Sequence, residues 1–146
     1  MNKYTGKGVY GAVAIGKISI FKRQEVSVKR ERIEDTEEQK QRVEQAKVLA
    51  TEQLQEIYDK ALVEVGEANA QIFEIHMMML EDEDYNDSIR NIIENQSVNA
   101  EYAIAVTSDN FAEMFSSMDD VYMKERAADI RDISNRLIRN LQAGNL

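Results

Sequence analysis

Side chains able to do chemistry are sparse in these 146 residues: there is one histidine, His76, no cysteine and no glycine-rich phosphate loop. With no nucleophile, base and electrophile to assemble, independent catalysis is the least favoured reading, and no catalytic residue is assigned. His76 sits in the run IFEIHMMML, residues 72–80. It reads in two ways: a buried histidine satisfied by a carboxylate, the commoner fate of a lone histidine, or a surface group that meets a partner. Met77, Met78 and Met79 follow it. Consecutive helical residues are about 100° apart, so at least one of these methionines faces away from any single apolar stripe. An exposed thioether suits a deformable docking surface. Acidic groups gather at Glu81, Asp82, Glu83 and Asp84, and again at Asp119, Asp120 and Glu125. They lack the spacing of a calcium loop, with its central glycine and distal glutamate, and helix capping explains them better than metal binding.

The elements that position these groups are mostly helical. Asp35 and Thr36, followed by Glu38 and Gln39, make a capping-box pattern that predicts a helix start. Val43, Ala46, Ala50, Leu54, Ile57 and Ala61 then recur at three- and four-residue steps as far as Gly66, a residue suited to a helix end. Residues 68–80 are apolar over a wide arc, which predicts packing on two sides, and a kink is expected near Asp82. Tyr85, Ile89, Ile92 and Ile93 carry the next segment, and residues 95–99 supply a turn. Ala103, Ile104, Phe111, Phe115 and Met118 mark a further helix. Asp119 and Asp120 cap a last one, whose stripe is Met123, Ala127, Ile130, Ile133, Leu137 and Leu141, ending at Gly144. Short polar connections predict antiparallel neighbours, so the expected fold is mainly α, a four-helix bundle with the second and third helices interrupted.

Residues 9–21, VYGAVAIGKISIF, differ: they are rich in β-branched residues and read as a β segment. Residues 22–34 form a charged connector in which the Val26/Val28 alternation suggests a short extended piece. A bundle offers no sheet to a strand, so the β segment is expected to belong to an absent α/β domain, with the chain an isolated fragment. The division expected is 1–32, strand and connector of an incomplete domain, and 33–146, the helical domain. The formal charge of −9, from 27 acidic and 18 basic residues, opposes binding to nucleic acid or anionic lipid; it either steers a basic partner or serves solubility. No run approaches the roughly 18 apolar residues of a membrane span, and no signal peptide is seen, so a soluble cytoplasmic protein is expected.

Three stretches carry a family resemblance. Residues 72–83, IFEIHMMMLEDE, are similar to a signature of enzyme I of the bacterial phosphoenolpyruvate:sugar phosphotransferase system. Residues 119–140, DDVYMKERAADIRDISNRLIRN, resemble that family's Lys-Glu-Arg-Ala-Ala-Asp helix, and residues 13–17, VAIGK, its first strand. Val9-Tyr10-Gly11-Ala12 stands where the family commonly has Ser-Pro-Gly. The resemblance implies a helical docking domain for the phosphocarrier protein HPr, inserted after the first strand of a phosphohistidine α/β domain. It implies a parent enzyme that moves phosphate from phosphoenolpyruvate through a histidine to HPr, with magnesium bound in a C-terminal barrel. This chain would then lack the phosphoacceptor histidine, need no cofactor of its own, bind HPr and be inactive alone. The docking positions implied are Glu67, His76, Met78, Met79, Glu83, Asp84, Tyr85, Phe115, Met123 and Arg126, with Arg126 either pairing with a carboxylate or meeting the transferring phosphate. The alternatives are the same domain in a multidomain phosphocarrier, such as a dihydroxyacetone kinase phosphotransfer subunit, and an acidic helical scaffold for another partner.

Overall fold

The computed structural model of the chain describes residues 26–144, so the β segment expected at 9–21 lies outside the described residues. Five helices follow one another there: α1 (Thr36–Val65), α2 (Glu67–Leu80), α3 (Glu83–Gln96), α4 (Ala100–Ser116) and α5 (Val121–Gln142). Asp35 starts α1 as its pattern predicts: its Oδ1 accepts from the Glu38 amide at 3.1 Å, and Glu37 and Glu38 set negative charge against the positive helix end. At Gly66 the chain turns into α2 with φ of +92°, a backbone conformation open to glycine.

The expected break near Asp82 is real, and it is held by side chains. Asp82 Oδ2 accepts from the Tyr85 amide at 2.9 Å, capping α3. The Asn86 side-chain amide donates to the carbonyl of Leu80 at 2.9 Å, a group that the break would otherwise strand, and to that of Asp82 at 2.7 Å, which also accepts from the Asn86 backbone amide at 3.1 Å. Segments α2 and α3 therefore share the place of the bundle's second helix. The third, α4, is continuous, against the expectation that it too is interrupted. It contains neither glycine nor proline, and Ala103, Ile104 and Ala112 hold its length against the core.

Helices α1 with α2, and α4 with α5, form the two closest-packed pairs. Ala46, Ala50 and Leu54 of α1, Ile89 and Ile93 of α3, Ile104 of α4, and Ile130, Ile133 and Leu137 of α5 make one continuous core. The short extended piece foreseen around Val26 and Val28 is tied down by the α3–α4 turn. Asn99 donates to the Lys29 carbonyl at 2.9 Å and accepts from the Glu31 amide at 2.8 Å, while Arg32 bridges antiparallel to Val98. Across the bundle, Arg42 of α1 meets Glu101 of α4 with two hydrogen bonds, at 3.2 and 2.8 Å. Burial pushes the Glu101 carboxyl up, but the hydrogen bonds and charge of Arg42, with hydrogen bonds from the Glu101 backbone amide and Asn99, together outweigh it and hold the group below its ordinary value.

Tyr85 is fully buried, and its hydroxyl lies 2.6 Å from Ser134 Oγ, joining α3 to α5. Burial pushes the phenol far above its ordinary range, against the pull of the Ser134 contact, so it stays neutral. Tyr85→Phe removes one partner and is expected to destabilise the fold by about 1–3 kcal/mol in denaturant unfolding. Adding Ser134→Ala, which removes the hydroxyl left behind, is expected to recover part of that loss.

Candidate functional site

The wide apolar arc of α2 is not buried on two sides as its sequence suggests. Only Ala70, His76 and Leu80 are buried; Phe73, Ile75 and Met79 are half-buried, and Met78 is 70% exposed. The unburied part of that arc forms one wall of a cleft of about 590 Å³. Phe111 and Phe115 of α4, with Tyr122, Met123 and Ile130 of α5, line the remainder. Phe111 stands edge-on to both Tyr85 and Phe115, with ring centroids 5.9 and 6.2 Å away, an arrangement that lets the rings hold one another without filling the cleft. Glu74 and Asp82 set carboxylates at its margin. A cleft of similar size, about 610 Å³, lies between residues 26–28, α4 and α5, but its lining is more polar and includes none of the candidate residues.

A buried polar chain underlies the cleft. His76 of α2, 8% exposed, has Nε2 at 3.1 Å from Asp129 Oδ1 of α5, so the carboxylate accepts from the imidazole N–H. Asp129, 6% exposed, also meets Arg126 one helical turn away, with Nε and Oδ2 2.7 Å apart. That short contact is an ion pair and not an aligned hydrogen bond: Arg126 Nε and Nη1 and Asp129 Oδ2 have no well-directed partner among the described residues. The guanidinium, 7% exposed, lies 4.3 Å from the centroid of the Tyr122 ring, within cation–π range. His76, Asp129 and Asp132 have ligand atoms within 4.8 Å of one another. The Arg126 guanidinium already supplies positive charge there, and an imidazole with two carboxylates is a poor match for magnesium, which prefers an oxygen octahedron.

The positions implied by resemblance thus fall into groups. Met78, Met79, Phe115, Met123 and Arg126 line the cleft. His76 is the buried histidine satisfied by a carboxylate, beneath the cleft and not on its face. Glu67, at the start of α2, and Glu83 and Asp84, at the start of α3, are exposed outside the lining. Tyr85 requires a correction: it touches the cleft from below, but with no exposed surface it is a core residue and offers nothing to a partner in this conformation. Asp129 is absent from the implied set. Its signal is its place three residues after Arg126 on α5, beside the apolar stripe, where the two side chains meet. Tyr122, four residues before Arg126, carries a similar signal.

The family model described as PEP-utilising enzyme, N-terminal, matches residues 5–126. The chain belongs to that family. It is 38% identical over 141 residues to phosphoenolpyruvate-protein phosphotransferase of Bacillus subtilis (strain 168), covering 97% of this chain and 25% of that one. With the protein of the same name from Enterococcus faecalis the identity is 40% over 130 residues, 88% of this chain and 23% of the relative. The chain accordingly spans about a quarter of the length of these curated relatives. The solution structure of Enzyme I (nEIt) superposes with a TM-score of 0.77 at 34% identity, covering 82% of this chain and 49% of that one. The N-terminal domain of Enzyme 1 - Nitrogen gives 0.74 at 24% identity over 81% of this chain and 49% of its own, a likeness of fold alone. Within the PEP-utilising family, then, this chain corresponds to the helical N-terminal part of enzyme I.

Removing the carboxylate that joins His76 to Arg126 leaves the buried guanidinium with only the exposed Glu125 carboxylate, 3.6 Å from Nη2, as a counter-charge. Asp129→Ala is expected to destabilise the fold by about 3–5 kcal/mol in urea unfolding, and Asp129→Asn, which keeps an acceptor, by less.

Proposed function

We propose that this chain is the HPr-docking domain of a phosphoenolpyruvate-protein phosphotransferase, and that the cleft between α2, α4 and α5 receives HPr. The observation that carries the reading is Met78, 70% exposed beside an apolar cleft that Glu74 and Asp82 border. A thioether so exposed gains by being covered, and Met79, Phe115 and Met123 extend the same surface. Glu67, Glu83 and Asp84 add exposed negative charge beyond the cleft, so the partner that fits presents an apolar centre with basic groups around it.

In this reading the parent passes phosphate from phosphoenolpyruvate through a histidine to HPr, in the cytoplasm. The helical domain contributes no bond-making group. It holds the acceptor protein near the donor, converting a bimolecular encounter into a local one. His76 is unsuited to be the phosphorylated residue, since its Nε2 faces Asp129 and its ring is buried. Among the described residues the His76, Asp129 and Asp132 cluster does not fit magnesium, and no step is assigned to a metal here. The similar proteins named above favour a phosphotransferase over an unrelated acidic scaffold.

Titration of isotope-labelled HPr with this chain, followed through its amide shifts at two salt concentrations, tests the reading. Binding that weakens with salt is expected. Asp84→Asn is expected to lower affinity a few-fold and to flatten the salt dependence, whereas Met79→Ala lowers affinity roughly tenfold with the salt dependence intact. No shift at high protein concentration would contradict it.

A further inference from the structure

The chain contains seven methionines and no cysteine, so thioethers are its only sulfur nucleophiles. They are not equally placed. Met77 is half-buried and packed against the core. Met79 and Met123 are half-buried in the cleft. Met78 is 70% exposed and lines the same cleft, whereas Met114, 45% exposed on α4, does not line it. The most accessible methionine of the described residues therefore stands where the proposed partner must exclude water.

We propose that Met78 is an oxidative modification site, converted by a hydroperoxide to the sulfoxide, and that this modification closes the docking surface. The inference rests on the docking reading above. A thioether lone pair attacks the outer oxygen of the peroxide; an S–O bond forms and the O–O bond breaks. The proton of the transferred oxygen passes to the departing hydroxide, which leaves as water. Sulfur loses two electrons and the peroxide gains them. The product is a polar, chiral side chain whose oxygen accepts hydrogen bonds strongly.

The consequences for the free and docked states differ. In the free chain Met78 faces solvent, so water satisfies the sulfoxide and the fold is unaffected. In the docked state an oxygen set among Ile75, Met79 and Met123 has to give up water against apolar neighbours. Affinity falls while the structure stays intact. Because methionine sulfoxide is reducible by dedicated reductases, the change is reversible in a cell.

The test exposes the chain to graded hydrogen peroxide, maps oxidised methionines by peptide mass spectrometry, and measures HPr affinity and the thermal midpoint at each dose. Met78 is expected to oxidise ahead of Met114, with HPr affinity falling roughly tenfold or more and the midpoint unchanged. In Met78→Leu the ratio of affinities after and before peroxide is expected to stay near one; in Met114→Leu it is expected to fall as in the original chain. Methionine sulfoxide reductase should restore binding. A map in which Met78 lags behind Met114 overturns the site assignment whatever the binding result. Unaltered affinity of a chain oxidised at Met78 overturns the functional consequence. An untreated chain that does not bind HPr defeats the docking reading, and the consequence built on it, while the map alone still decides the site.

Discussion

One buried carboxylate joins α2 to α5 beneath the cleft. Asp129 of α5 accepts from His76 of α2 on one oxygen and faces the Arg126 guanidinium with the other. All three residues are more than nine-tenths buried, so neither the carboxylate nor the guanidinium can turn fully to solvent for compensation. These contacts tie α2 to α5 across the cleft floor, while α2 packs more extensively on α1. Tyr122 covers the guanidinium from the α5 N-terminus, which places an aromatic ring and a methionine, Met123, at the same margin. The hard, charged floor and the soft, apolar surface above it thus share one set of helical turns.

That arrangement explains an otherwise odd property of α2. An apolar helix at a domain surface usually turns its broad face inward, yet here Ile75, Met78 and Met79 remain partly or largely uncovered. The break at Glu81 and Asp82 contributes. By ending α2 and restarting α3 under the control of Asp82 and Asn86, the chain sends Tyr85 into the core while leaving Met78 outside it. Tyr85 then supports the aromatic row of Phe111 and Phe115 from beneath.

Much of this was legible in the sequence, because the features concerned are local. The start of α1 at Asp35, its end at Gly66, the break at Asp82 and the stripe of α5 each depend on residues within about a turn of one another. So did the conclusion that one of three consecutive methionines must be exposed. What escaped the sequence were relations across elements. Nothing in the spacing of α2 says that its apolar arc borders a cleft rather than a second packing surface. Tyr85 stood among the docking positions implied by the resemblance, although its own spacing put it on the apolar stripe with Ile89 and Ile93; the helix start at Asp82 turns it inward to meet Ser134, 49 residues away. Asp129 was hidden for the same reason: its partner His76 is 53 residues distant, and only the fold brings them together.

The most direct measurement is a spectrum of this chain carrying carbon-13 methionine methyl groups, recorded as unlabelled HPr is added. If the cleft is the docking surface, the Met78, Met79 and Met123 methyls shift together and saturate with one affinity, while Met114 stays in place. A saturating shift of Met114 with Met78 unmoved would put the partner elsewhere on the bundle and contradict the assignment of the cleft.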